Sequence, residues 1–178
     1  MPNYRNCFID ASCNFGNNES LPGVFSDVAN SGLVPFPGFD EGSWLPMISF
    51  ATPGTLAVTY SAASGSWQRH GKWVQLSFSF NFVPTLGTAA GQFQIINLPF
   101  PASIETGGLV SYMDADVATW PAGAVDLALA TTNAQSFLKL VGNKPASNPV
   151  DFTAANFTSG ATVTMRGNIR YLTTAPWP

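Results

Sequence analysis

The centre of the sequence carries a long alternating pattern, because residues 74–82 read Val-Gln-Leu-Ser-Phe-Ser-Phe-Asn-Phe. Successive side chains of a β-strand point to opposite sheet faces, so this period of two separates the apolar from the polar residues. At about 3.3 Å per residue the segment spans roughly 30 Å, which is the length of a long strand in a sandwich. Three phenylalanines on one face each bury on the order of 150–250 Å² and therefore indicate a thick core.

From Trp44 onward the sequence is interpreted as strands separated by turn clusters of Gly, Pro, Ser and Thr. About eight strands without intervening helices predict an all-β fold, a single β-sandwich or jelly-roll domain, and not a parallel α/β sheet. In Gln92–Leu98 the apolar residues change phase, which predicts a bulge near Ile95–Ile96. The predicted strands are Leu45–Ala51, Leu56–Tyr60, Gly71–Val83, Gln92–Leu98, Leu109–Met113, Ala124–Ala130, Ser136–Val141 and Ala161–Leu172.

Residues 1–43 differ from the rest of the chain, being rich in Asn, Gly, Pro and Ser without sustained periodicity. Aromatic residues nevertheless run through them, whereas disordered tails are poor in aromatics. We therefore predict an extended N-terminal arm over residues 1–43 and a β-sandwich domain over residues 44–178. The arm is expected to dock on its own domain, a sister subunit or a scaffold. The arm residues predicted to bind a partner are Phe8, Phe15, Phe25, Phe36 and Phe39.

The composition restricts the partners. Charged residues make up only 10% of the chain, against about 25% in a typical soluble domain, so much of the surface is expected to be covered in an oligomer or assembly. The net charge is −3 and the seven Lys and Arg residues are scattered, which argues against nucleic-acid and anionic-membrane binding. The N-terminus lacks a secretory signal pattern, so we expect folding in a cytosol, with Cys7 and Cys13 as reduced thiols in preference to a small disulfide loop.

Residues suited to catalysis are few. His70 is the only histidine, and it lies in the polar segment Gln68–Lys72, which predicts a turn residue and not a general base. Asp114 and Asp116 could contribute to a calcium site or a glycosidase pair, but a solvated loop is the preferred interpretation. No phosphate-binding loop or dinucleotide motif is present. We therefore predict a protein that is not an enzyme and has no catalytic residue, no cofactor and no metal site.

Exposed aromatic residues are the remaining candidates for a binding role. Trp67, Trp73 and Trp120 could stack against sugar rings or lie in a trimer interface, where tryptophan is enriched. Trp73 belongs to the polar phase of the central strand, which predicts that it faces outward. The interface role is preferred for all three.

Short motifs across residues 44–172 follow one another in an order that resembles a pattern of tailed-phage virion proteins. In that pattern Trp-x-Pro-x-Ile-x-Phe leads to Thr-Tyr-Ser, then Gly-x-Tyr-x-Arg-x-Gly, a Phe-rich strand and Gly-Leu-Pro-Phe. This sequence departs from it at Trp67, where Tyr is usual, and at Asn97, where Gly is common. The motifs that carry the resemblance are Trp44–Phe50, Val58–Ser61, Gly65–Val74 and Ile96–Phe100, and more weakly Phe157–Val163 and Arg170-Tyr171.

The resemblance implies a trimeric β-sandwich or jelly-roll module, as occurs at tail-fibre tips, in head fibres and in capsid cement proteins. Our first hypothesis is a non-enzymatic capsid decoration (cement) protein in the virion, assembled in the host cytoplasm. It would be a homotrimer that binds the major capsid protein of the shell through its arm. The hypothesis depends on a chain that begins at Met1 with a short aromatic arm and no shaft region ahead of the domain.

Two alternatives stay open. A tail-fibre tip or head-fibre adhesin would bind a host surface glycan through Trp67, Trp120 and the loops near Asp114. A polysaccharide-degrading enzyme would need paired carboxylates across a cleft, and we rank it far behind.

Overall fold

The regular structure of the chain is almost entirely β-strand. The computed structural model describes residues 39–114 and 118–176, and within these ranges the one other element is a 3₁₀ turn at Ala154–Asn156. The predicted all-β fold is confirmed. The strands are β1 (Phe39–Trp44), β2 (Met47–Thr52), β3 (Ala57–His70), β4 (Trp73–Thr85), β5 (Ala90–Ile96), β6 (Gly107–Met113), β7 (Asp126–Thr131), β8 (Leu138–Asn143), β9 (Val150–Asp151) and β10 (Val163–Leu172).

All the strands pair antiparallel in one sheet, in the order β1-β3-β4-β10-β6-β7-β8-β5-β2, with β9 added to β8. The sheet curls over on itself, because strands from opposite ends of this order touch. The ring centroids of Phe82 on β4 and Phe93 on β5 lie 6.4 Å apart. The Ile48 N–H on β2 donates to the Tyr60 hydroxyl on β3 at 2.7 Å. One half of the sheet therefore covers the other, an arrangement compatible with a β-sandwich.

The inner face of β4 forms the centre of the core, as its alternation predicts. Val74, Leu76, Phe80 and Phe82 are fully buried, and Phe78 is 5% exposed. The rings follow one another along the strand, with 5.3 Å between the centroids of Phe78 and Phe80 and 5.3 Å between those of Phe80 and Phe82. Each such side chain stabilises the fold by about 1.5–3 kcal/mol relative to an exposed one. Packing against this row holds the two halves of the sheet together.

Strand β3 is much longer than predicted. It runs from Ala57 to His70, whereas the prediction ended the strand at Tyr60. The missed half is rich in Ser, Ala and Gly, which have weak strand preference, and it is a strand because β4 pairs with it along its whole length. The predicted polar turn Gln68–Lys72 is wrong: the loop is Gly71 and Lys72 alone, with Gly71 at a φ of 59° that favours glycine.

Strand β1 begins at Phe39, inside the range predicted as the arm, so the last residues of that range belong to the sheet. Strand β1 packs on β3 through two pairs, each made of a glycine on one strand and a tryptophan on the other. Gly42 is paired with Trp67 and Trp44 with Gly65. A Cβ atom on Gly42 would lie 2.8 Å from the Trp67 ring, and one on Gly65 would collide with Trp44. Each indole therefore covers the bare backbone opposite it.

The bulge predicted near Ile95–Ile96 is wrong. Strand β5 keeps its alternation as far as Ile96, and then Asn97 adopts a φ of 68°. This left-handed conformation changes the phase of the following residues, and asparagine is among the few non-glycine residues that tolerate it. Because asparagine tolerates this conformation, Asn97 can occupy the position before Leu-Pro-Phe where Gly is common. The register shifts lie elsewhere, between Tyr60 and Ala62 and between Phe50 and Thr52.

A buried arginine ties the end of the chain to the β3–β4 hairpin. Arg69 is 1% exposed, and its guanidinium lies over the Phe100 ring, 4.7 Å from the centroid. Its Nε donates to the Gly71 carbonyl at 2.9 Å, and its terminal nitrogens donate to the carbonyls of Pro176 at 3.0 Å and Ala175 at 2.6 Å. The planar fork of donors thereby fixes the segment after β10 beside the hairpin.

Candidate functional site

The candidate site is the solvent side of β3, β4 and β10, which we call the outer face. Because the three strands pair in register, their outward side chains form rows across the sheet. Two rows consist mainly of short polar side chains, and a third, nearer the β3–β4 hairpin, has longer ones. The rows are Ser64-Ser79-Arg166, Ser66-Ser77-Asn168 and Gln68-Gln75-Arg170.

Four serines form a shallow trough in the middle of the outer face. Ser64, Ser66, Ser77 and Ser79, together with Gly65 and Phe78, line a depression of about 330 Å³, and we call the four serines the hydroxyl trough. The hydroxyls of Ser66 and Ser77 share a hydrogen bond of 2.8 Å. Short side chains at successive outward positions leave the surface low there, while longer neighbours rise beside it. The trough therefore offers a row of hydroxyl groups to an extended ligand.

Longer side chains border the trough on the hairpin side. A second depression, of about 190 Å³, adjoins the row of Gln68, Gln75 and Arg170. The Trp73 ring is 40% exposed there, and the Arg170 guanidinium lies 4.5 Å from its centroid. The residues that line this depression are Phe39, Gln68, Arg69, His70, Trp73, Gln75 and Arg170.

Arg166 and Arg170 are each held against an aromatic ring on this face. Arg166 lies 5.7 Å from the centroid of Tyr112, which is 50% exposed on the neighbouring β6. Exposed cation–π contacts contribute only about 0.5–1 kcal/mol each, but they restrict where a long side chain points. Both guanidinium groups are therefore positioned with donors still available to a ligand.

The charge of strands β3, β4 and β10 is opposite in sign to that of the whole chain. The chain carries a net charge of −3, yet β3, β4 and β10 contain no Asp or Glu. Asp114 borders these strands just after β6, where its N–H donates to the Thr164 carbonyl on β10 at 3.1 Å. Glu41 is an acidic neighbour on the opposite side, on β1, where it is paired with Gln68. It stands three strand spacings from Arg170, about 14 Å. The three strands therefore present Arg166 and Arg170 outward and carry no carboxylate of their own.

The tryptophans predicted as an interface or ligand-stacking set occupy different environments. Trp73 is exposed on the outer face, as its phase predicted. Trp67 points inward, packs over Gly42 and meets the Phe100 ring edge-on at 5.1 Å. Trp120 is 37% exposed in the segment between β6 and β7 and lines neither depression. The interface or stacking role of the three stays a prediction.

Other predicted positions are described only in part. His70 ends β3 and lines the depression beside Trp73. Asp114 follows β6, and its N–H donates to the Thr164 carbonyl at 3.1 Å, whereas Asp116 is outside the described residues. So are the cysteines Cys7 and Cys13 and the arm residues Phe8, Phe15, Phe25 and Phe36. Of the arm residues predicted to bind a partner, Phe39 is described, and it is 36% exposed on β1.

Residues 39–114 and 118–176 contain neither a metal-binding cluster nor a membrane-spanning helix. In these ranges no group of three or more His, Cys, Asp or Glu side chains is placed to hold a metal ion. No helix of the same ranges is long and apolar enough to cross a membrane.

Sequence reasoning missed the trough and the two arginines. Ser77 and Ser79 were recognised only as the polar phase of the central strand. The signal on β3 was its own alternation, in which Ser64 and Ser66 interleave with Ala63, Gly65 and Trp67. Because the predicted strand ended at Tyr60, this alternation was not recognised as part of a strand.

Comparison with known proteins gives a fold likeness and no family. The sequence matches no known protein family and no curated protein. Among solved structures the chain is similar to the crystal structure of the Dettilon tailspike protein, with a TM-score of 0.53 and 15% identity over 75% of this chain. The likeness covers 24% of that tailspike chain, so it concerns about a quarter of the longer protein. At this identity it shows that the all-β fold recurs within a tailspike.

Proposed function

We propose that this protein is a structural component of a phage virion that recognises a host surface, as a non-enzymatic module of the tailspike or tail-fibre kind. The observation that carries the proposal is the outer face: serine hydroxyls, glutamine amides, two positioned arginines and an exposed tryptophan lie open on one side of a rigid sheet. These groups hydrogen-bond and stack with a ligand without chemical change. The fold likeness to a tailspike and the motif order in residues 44–172 support the same role.

Recognition by such a face is expected to be weak in a single copy. Each hydrogen bond made in water contributes only about 0.5–1.5 kcal/mol, and the face is shallow. We propose that the protein is a homotrimer, because several linked sites raise the overall affinity without any new contact. Sedimentation equilibrium should give three times the chain mass of 18.9 kDa.

The experiment for the host-binding role is competition. Purified protein, added in excess, should block adsorption of the particle that carries it, and a cryo-electron microscopy map of that particle should place the chain at the tail. Density on the head together with unimpaired adsorption would contradict the proposal.

A capsid decoration role is the second candidate. It is supported by the low charged fraction of 10%, which suits a surface covered in an assembly, and by the aromatic residues of the predicted arm. The full-length variant with Phe8, Phe15, Phe25 and Phe36 all replaced by Ser should then lose binding to empty shells of the major capsid protein. The strand residue Phe39 is left intact because it belongs to β1. Undiminished shell binding by that variant would count against this candidate.

A further inference from the structure

We propose that the outer face binds an acidic polysaccharide, whose sugar chain lies in the hydroxyl trough and whose carboxylates bind Arg166 and Arg170. The inference rests on the proposed host-surface role and deepens it by naming a ligand class and the residues that bind it. It places the site on β3, β4 and β10, and not at Trp67, Trp120 or the loops near Asp114.

The distribution of polar and aromatic groups favours a sugar over a protein as the ligand. Protein interfaces bury aromatic or apolar anchors at their centre and leave a polar rim. The outer face is arranged the other way round, with serine hydroxyls at the centre and the rings of Trp73 and Tyr112 at its margins. A protein partner would have to remove water from the central hydroxyls. A sugar chain can instead exchange hydrogen bonds with them and present its C–H surfaces to the rings.

The charges favour an acidic chain. A guanidinium group binds a carboxylate through two parallel N–H···O hydrogen bonds, which are about twice as strong as neutral ones. Arg166 and Arg170 stand four residues apart on the same side of β10, about 13 Å along the strand. They are outward neighbours of Ser79 and Gln75, so they border the trough and its adjoining depression. Two carboxylates of one polymer can therefore be bound at the same time.

The two arginines are also prepared for binding. Ordering a long, flexible side chain on binding costs about 0.5–1.5 kcal/mol. Here the contacts of Arg170 with Trp73 and of Arg166 with Tyr112 hold each side chain before a ligand arrives. Less entropy is then lost when the carboxylate binds.

The test is affinity electrophoresis of the full chain in native gels that contain polygalacturonate, with dextran as the neutral polymer. Wild-type protein should be retarded by polygalacturonate and little by dextran. The double variant Arg166→Gln/Arg170→Gln should bind polygalacturonate roughly tenfold or more weakly. The matched control Lys139→Gln/Lys144→Gln removes the same amount of charge from β8 and the residue after it, and should stay within about twofold of wild type.

A second variant tests the trough without changing charge. Ser66→Tyr projects a ring into the depression from an exposed position, so it should weaken binding to polygalacturonate roughly tenfold and leave the urea unfolding midpoint near that of wild type.

The proposal is overturned if polygalacturonate does not retard the wild-type protein. It is also overturned if the arginine and lysine double variants weaken binding equally, since equal loss means that binding is general charge attraction. It is also overturned if Arg166→Gln/Arg170→Gln or Ser66→Tyr changes the oligomeric state, because the face is then an interface between copies. Blocked adsorption with arginine-independent binding would refute the site and keep the host-surface role. Arginine-dependent binding without blocked adsorption would support the site and count against that role.

Discussion

The two faces of β4 differ completely although they alternate along one backbone. On the inner face every residue from Val74 to Phe82 is apolar and at most 5% exposed. On the outer face Trp73 is 40% exposed, and Gln75 and Ser77 are also exposed. The inner residues are restricted by volume, because a close-packed core tolerates neither cavities nor extra atoms. The outer residues have no such restriction, and their polarity suits contact with water or with a ligand.

The largest expected effect is the loss of an inner ring. Phe80 is fully buried and lies between Phe78 and Phe82, so Phe80→Ala removes its burial and leaves a cavity among the rings. We expect the free energy of unfolding to fall by about 3–5 kcal/mol, measured by urea denaturation. The neighbouring Ser79→Ala, on the outer face, is the control and should change it by no more than about 0.5 kcal/mol. A Phe80→Ala loss of the same size as the control's would remove the distinction between the faces.

The next effect concerns an arginine that lies on the inner side. Arg69→Ala takes away the donors to the carbonyls of Gly71, Ala175 and Pro176 and the contact with Phe100. Because hydrogen bonds to charged groups contribute about 1.5–3 kcal/mol and the site is buried, we expect a loss of about 3 kcal/mol. Arg69→Lys keeps the charge without the planar fork and should recover less than half of it.

The outer arginine Arg170 provides the contrast. Its guanidinium contacts the exposed face of Trp73, so Arg170→Ala should cost about 0.5–1 kcal/mol in the same urea experiment. If Arg69→Ala were as mild, Arg69 would not be what holds the segment after β10 to the hairpin.

The contrast between the inner and outer residues also shows how much of the fold could be predicted from the sequence. Burial by alternation is a local property, so the inner residues of β4 and β10 and the all-β class were predictable. The long β3 was not, because residues 61–70 are strand only through pairing with β4. Arg69 gave no signal either: a charged residue in a polar segment is usually solvated, and its three carbonyl partners lie at Gly71 and at the end of the chain.

The candidate site was predictable only in fragments. Trp73 was assigned outward from its phase, and that assignment is confirmed by its exposure. The alignment of Arg166 with Ser79 and of Arg170 with Gln75 depends on the register of β10 against β4, which no short motif specifies. The charge of the face could be noticed only once these three strands were known to be neighbours.

A smaller effect is expected from the inner tyrosine Tyr171 and appears at alkaline pH. Burial raises the pKa of its phenol above the ordinary value, while the hydrogen bond that its hydroxyl donates to the Phe100 carbonyl at 2.8 Å joins it to the core. Above pH 10 the unfolded chain ionises while the folded tyrosine stays neutral. The contribution of Tyr171 to stability is therefore complete below pH 10. As the pH rises from there towards the pKa of the folded tyrosine, the free energy of unfolding decreases by up to about 1.4 kcal/mol per pH unit.

The test compares Tyr171→Phe with wild type in urea unfolding from pH 8 to pH 11. At pH 8 the variant should be less stable by about 1 kcal/mol, because the Phe100 carbonyl loses its donor. Above pH 10 its stability should fall less steeply than that of wild type. Parallel curves would mean that Tyr171 does not stay neutral inside the fold.

The smallest change in stability is expected together with a change in binding, at the serines of the hydroxyl trough. Ser66→Ala/Ser77→Ala removes the shared 2.8 Å hydrogen bond from exposed positions, so unfolding should change by no more than about 0.5 kcal/mol. If a sugar chain uses these hydroxyls, each lost hydrogen bond of about 0.5–1.5 kcal/mol should weaken polygalacturonate binding several-fold in native gels. Unchanged binding with a stability loss above about 1 kcal/mol would mean that the outer serines serve the sheet, and that both faces of β4 are selected for folding.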